Sequence, residues 1–253
     1  MKIDFSKLAK KAPEFDLEAL FDANLHYGHK VSQWHPKMQE WIHSQKNGVH
    51  IFDLEKSAKQ LAVAYDYFYE LGAQDKQVIV VGTKKQAKDL VVSLTAGSGV
   101  HYIVARWLGG FLTNWDQVFK SLKKMNTTKE KLDSNGFSNR TKYEVMRIEK
   151  ELSRSRRFFD GVKDLKAKPD VLLVIDPKKE KNAVKEAKLE GVCVVALADS
   201  DTNPTPIDLL IPGNDDAVKS IEYVLTKLVE AYVLGKKSIA KSVKKPSDEG
   251  KTK

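Results

Sequence analysis

A single cysteine, Cys193, stands in the 253 residues. It excludes an intramolecular disulfide and a multi-cysteine zinc knuckle, and it suits a reducing compartment. No run of 18 apolar residues occurs, so no membrane-spanning helix is expected. Met1 to Phe15 has no apolar core of signal-peptide length and no arginine, which gives a cytoplasmic reading. Three enzyme signatures are also missing. The dinucleotide pattern G-x-G-x-x-G is absent, and so is a Gly-x-Ser-x-Gly nucleophile elbow. Val81-Gly82-Thr83-Lys84-Lys85 follows an apolar run, but the glycine that a phosphate loop needs five residues earlier is replaced by strand residues. No cofactor or small-molecule substrate is therefore expected. A nucleotide-binding α/β enzyme using the loop at Gly82 is the alternative that this motif keeps open, and a membrane-surface or adaptor role for the basic tails is another.

What the chain has in excess is positive charge, a formal +9, and it is segregated. Residues 114–168 hold 15 Lys and Arg against 8 Asp and Glu, a net +7. Residues 1–11 give +3 and residues 236–253 give +5, leaving −6 for everything else. A solvated surface spreads its charge; a protein that grips phosphates at chosen points concentrates it.

Hydrophobic patterning divides the chain in the same places. Asp16 is a plausible cap for a short helix to Ala23. A His- and Trp-containing loop follows, from Leu25 to Met38. Residues 40–53 read as a β-hairpin turning at Asn47-Gly48, and 55–71 as a helix. Strands are expected at Gln77–Val81, Val100–Val104, Val171–Ile175, Val192–Leu197 and Leu209–Ile211. Between and after them come helices at Lys84–Thr95, capped by Thr83, at Glu180–Glu190, closed by Gly191, and at Asp215–Leu234, with Gly235 as C-cap. Continuous apolar strands alternating with helices mean an α/β fold, a parallel sheet with helices on both faces. Asn114–Lys168 interrupts this alternation. Its two amphipathic stretches flank the turn-rich Asp133-Ser-Asn-Gly-Phe-Ser-Asn139, which predicts an inserted antiparallel helical hairpin about 30 Å long. Its thin apolar stripe suits a seam between two helices, so the hairpin is expected to project. The expected division is an N-terminal tail at 1–15, an α/β domain at 16–113 and 169–235, the inserted hairpin at 114–168, and a basic disordered tail at 236–253.

The candidate RNA contacts follow from the charge. The hairpin supplies Lys120, Lys123, Lys124, Arg140, Lys142, Arg147, Arg154, Arg156 and Arg157, stripes that reach phosphates without reading sequence. Lys84 and Lys85 stand at a helix N-terminus, where anions are favoured. Arg106, beside Trp107, could clamp RNA by charge and stacking. His26, His29 and His35 lack the ligand set of a mononuclear zinc site, so no metal is assigned. Asp199-Ser200-Asp201 follows a strand and is read as a polar loop, since spacing names no partner base.

Six blocks occur in order: Leu25-His-Tyr-Gly-His29, Trp34-His-Pro-Lys-Met38, Asn47-Gly-Val-His-Ile-Phe-Asp-Leu-Glu-Lys56, Val81-Gly-Thr-Lys-Lys-Gln-Ala87, Arg106-Trp-Leu-Gly-Gly110 with Leu112-Thr-Asn114, and Ile211-Pro-Gly-Asn-Asp-Asp-Ala217. Together they resemble the S-two family of bacterial small ribosomal subunit proteins. The resemblance implies a flavodoxin-like domain with an inserted coiled-coil hairpin. It also implies binding to small-subunit ribosomal RNA between head and body, neighbours that include small subunit protein 1, and no enzyme activity.

Overall fold

The computed structural model of the protein describes residues 4–134 and 136–243. Asp16 caps α1 (Leu17–Asp22), its carboxylate accepting from the Glu18 N–H. Three short strands follow: β1 (Tyr27–Lys30), β2 (Ile42–Lys46) and β3 (Val49–Phe52). They form an antiparallel sheet in the order β1-β3-β2. Asn47 and Gly48 both have positive φ, 54° and 75°, which is the turn a two-residue hairpin requires. β1 replaces part of the expected loop; it is short, and its exposed ends break the apolar pattern that marks a strand.

Asp53 caps α2 (Leu54–Ala73), after which the chain alternates β4 (Val78–Val81), α3 (Lys85–Thr95) and β5 (His101–Ile103). Two helices come next, α4 (Trp115–Asp133) and α5 (Lys142–Phe159). Then follow β6 (Val171–Ile175), α6 (Lys181–Leu189), β7 (Cys193–Ala198), β8 (Leu209–Pro212) and α7 (Val218–Val243). The five long-range strands pair in parallel in the order β5-β4-β6-β7-β8. This is the flavodoxin-like order, with its switch point between β4 and β6.

The sheet is buried on both faces, and its side chains alternate between two cores. Val78, Val80, Leu173, Val195 and Ile211 meet α2, α3 and α7. Ile79, Val81, Leu172, Val174 and Val194 meet α6, the segment Trp107–Leu112 and the first half of α4. Leu122 and Met125 of α4 are 2% and 6% exposed in that second core, whereas α5 has no buried residue. The stripe of α4 is therefore shared between the body and α5 rather than given wholly to an interhelical seam.

Three further expectations are corrected. Thr83 does not cap α3: its hydroxyl donates to Glu180, and the capping position falls to Lys84. Residues 5–15 are not a free tail. Asp66 of α2 accepts from the N–H groups of Lys11 and Ala12, both at 2.6 Å, and the Phe5 ring stands edge-on to Tyr67. The last helix does not stop at Gly235 but continues to Val243, so residues 236–243 are helical; residues 244–253 lie outside the described part. Gly235 is instead where α7 crosses α2. A Cβ there would lie 2.0 Å from the Tyr69 carbonyl oxygen, and one on Gly72 would lie 2.0 Å from that of Tyr232. The missing side chains let the two helices touch backbone to backbone. Lys236 then reaches Asp75 at 3.0 Å, holding the continued helix to the body.

Candidate nucleic-acid interface

The helices α4 and α5 run antiparallel, with Lys124 reaching Glu151 at 3.3 Å midway along. α5 starts on a capping box, in which Thr141 and Glu144 satisfy each other's backbone N–H groups. Val145, Ile148, Leu152, Ser155 and Phe159 are partly covered on one face of α5. That arrangement turns Arg147, Lys150, Arg154 and Arg157, spaced by three and four residues, to the outside.

Every hairpin cation named from the sequence is exposed: Lys120, Lys123, Lys124, Arg140, Lys142, Arg147, Arg154, Arg156 and Arg157. Several rest lightly on neighbours. Lys123 lies over the Phe119 ring, Arg140 is 3.9 Å from Glu144, and Arg156 is 3.6 Å from Asp160. Exposed pairs of this kind are each worth under about 1 kcal/mol, so they yield readily to a phosphate. Lys120, Lys142, Arg147 and Arg154 have no ion-pair partner among the described residues. Arg106 and Lys85 are exposed too, on the body.

Lys84 is placed differently. It lies at the switch point, 13% exposed, with its ammonium 2.6 Å from Asp215, 2.7 Å from Asp216 and 3.1 Å from Asp176. Burial opposes its charge, but these carboxylates outweigh burial and raise its pKa. His29 extends the cluster. Its Nδ1 is 2.8 Å from Asp199, and its Nε2 is 3.5 Å from Asp216 and 3.9 Å from Asp201. The hydrogen bond to Asp199 is the main cause that raises its pKa to about 9, against the pull of burial. Desolvation, with Asp176 nearby, pushes the Asp215 carboxyl up to about 7. Glu180 closes the crevice through Thr83.

In this fold the crevice at the switch point is where phosphate-bearing ligands bind. Here a polyphosphate would meet carboxylates, and Lys84 and Lys178 are already paired with aspartates of the cluster. The geometry suits a cation. His29, Asp199 and Asp215 each offer a ligand atom within 4.8 Å of the others. The three histidines grouped by sequence do not converge. His26 stacks on Phe21 at 4.2 Å, and His35 Nδ1 accepts from the Lys37 N–H. Asp199 and Ser200 are buried, so the segment read as a polar loop is part of the interior, and the partner that spacing could not name is His29.

A family model described as Ribosomal protein S2 matches residues 20–235. The chain belongs to this family. Membership makes it a structural protein of the small ribosomal subunit, a ribonucleoprotein of translation. For the Ribosomal protein S2 family, association with small-subunit ribosomal RNA and other ribosomal proteins follows from that role. The matched span takes in the crevice and the whole α4–α5 pair, and it ends at Gly235, where α7 crosses α2. One residue that orders the approach to α4 escaped the sequence reading. Glu186, on α6, accepts hydrogen bonds from the segment leading into α4; the sequence signals only an unremarkable helical acid there.

Proposed function

We propose that the chain binds small-subunit ribosomal RNA through the exposed cations of α4 and α5, joined by Arg106 and Lys85 on the body. The carrying observation is the separation of charge. Twelve exposed Lys and Arg stand on or between two helices, while the crevice of the body is lined by carboxylates. Contacts of this type hold a protein in register on folded RNA without reading its bases. Lys84 is left out of the contact set because its ammonium is held by three aspartates. In this reading residues 114–168 are an inserted RNA-binding arm and 16–113 with 169–235 the body that carries it. The body's acidic surface serves protein neighbours, and the resemblance names small subunit protein 1 as the one to test. The chain works on cytoplasmic ribosomes and performs no catalysis.

Reversing Arg154, Arg156 and Arg157 to Glu tests the reading. Incorporation into small subunits is expected to fall at least about tenfold, since each phosphate contact adds to affinity. Thermal unfolding of the free protein is expected to stay within about 0.5 kcal/mol of the parent, as for exposed positions generally. Normal incorporation of the triple variant would make the stripe a merely solvated face.

A further inference from the structure

The arm is joined to the body by the segment Trp107–Asn114, and that segment is organised around one carboxylate. Glu186 Oε1 accepts from the Trp107 indole N–H at 3.0 Å and from the Gly110 N–H at 2.9 Å. Its Oε2 accepts from the Leu112 N–H at 3.0 Å, and from the Thr113 N–H and hydroxyl, both at 3.4 Å. Trp107, Phe111, Leu112 and Glu186 itself are buried. The backbone N–H groups of such a segment need acceptors that water does not reach. A carboxylate supplies up to four acceptor positions at two oxygens and no donor. Burial pushes the Glu186 pKa up, but the Trp107, Gly110, Leu112 and Thr113 donors outweigh it and leave it lowered, so the group stays ionised.

Glu186 is itself rigidly mounted. Ala183, Val184 and Ala187 on the same helix are buried against the sheet. Two residues after Thr113, α4 begins. The path from sheet to arm thus runs through α6, one carboxylate and five donors, beside the direct packing of Leu122 and Met125 on the second core. A second tie joins α4 to the segment that follows α5, where Asn126 Nδ2 donates to the Lys163 carbonyl at 2.9 Å.

We infer that Glu186 is a positioning residue: it fixes the direction in which α4 and α5 leave the body, and so the placement of the cation stripes on RNA. The functional half of this inference rests on the RNA reading above; the geometric half does not. Glutamine at 186 keeps the shape but has one acceptor oxygen, and its amide would turn N–H groups toward N–H groups.

The test uses the full chain carrying spin labels on Ser138→Cys, between α4 and α5, and on Lys219→Cys, on α7. The native Cys193 is buried and stays unlabelled. Pulsed dipolar spectroscopy then reads the arm-to-body distance in folded protein, which loss of stability alone would not move. With Glu186 present the distribution is expected to be narrow, and with Glu186→Gln broadened or displaced. Retention on small-subunit RNA is expected to fall about tenfold, the cost of ordering a joint on binding. Should Glu186→Gln not fold, Glu186→Asp gives the same reading, since it withdraws the carboxylate by one methylene. An unchanged narrow distribution in a folded variant overturns the proposal. A broadened distribution with undiminished RNA retention overturns its functional half, provided the triple arginine reversal does weaken retention. If that reversal has no effect either, the RNA reading has failed, and the distances alone decide the role of Glu186.

Discussion

Removing the Lys84 ammonium would leave Asp176, Asp215 and Asp216 facing one another with only the His29 ring beside Asp216. Lys84→Met is expected to destabilise the chain by about 3–5 kcal/mol, the usual consequence of stripping one partner from a buried ion cluster. Urea unfolding measures it. The same cluster sets a pH dependence. The Asp215 carboxyl, raised to about 7, favours folding most below its ordinary 3.8, and that contribution is lost as pH climbs toward 7. The His29 imidazolium, raised to about 9, contributes fully below its ordinary 6.5, and its contribution is lost as pH rises through 9. Both signs agree. With chelator present, the cluster's share of stability is expected to decline from pH 4 to pH 9. The upper part, on the order of 2–3 kcal/mol, should vanish in His29→Asn. A stability profile unaffected by that substitution between pH 7 and 9 would remove His29 from the account. None of this was legible beforehand. Lys84 and Asp215 are 131 positions apart and His29 and Asp199 are 170 apart, so only the sheet brings them together. A Gly-Thr-Lys-Lys run after a strand looks open to phosphate until the carboxylates at the ends of three other strands are in place.

At the scale of elements, regular periodicity was readable and contact between helices was not. The buried strands announced themselves because a parallel sheet covered on both faces needs unbroken apolar runs, as at Val171–Ile175. The turn at Asn47-Gly48 was readable because few residues accept its backbone angles. Gly235 misled, since a glycine ending an apolar helical pattern commonly marks a cap. Its actual role is to admit the Tyr69 carbonyl, an atom fixed in another helix. Gly235→Ala gains about 1 kcal/mol of helix propensity. The backbone it strikes cannot turn aside, so a net loss of roughly 1–3 kcal/mol is expected in thermal unfolding. Gly109→Ala, with nothing within 4 Å of the added carbon, serves as the tolerated control. The split stripe of α4 was missed for a related reason. Leu122 and Met125 have the same helical spacing whether they meet α5 or the sheet.

Over the whole molecule, with cations on the arm and carboxylates in the crevice, the proposed binding to RNA is a matter of ionic strength as much as of shape. Each phosphate contact releases condensed counterions, so affinity should fall linearly with the logarithm of salt concentration. Neutralising Arg154, Arg156 and Arg157 to Gln is expected to flatten that slope by up to about three, one for each phosphate that an arginine no longer meets. A weaker affinity with an unchanged slope would mean that these arginines do not touch phosphate.

The crossing of α2 and α7 also bears on the order in which the protein can be assembled. Gly72 and Gly235 meet across 163 positions, and β4 takes β6 as its inner neighbour only after the whole arm has been made. The α4–α5 pair meets within one stretch of chain and can begin to form early; pairings across a long stretch, including the seating of Leu122 and Met125 on the sheet, form late and slowly. During synthesis α4 and α5 are therefore made while the apolar face of α2 still waits for its cover. Only when the last helix leaves the ribosome that makes it does the body close, so a chain truncated before Gly235 would carry the α4–α5 pair on an unfinished core.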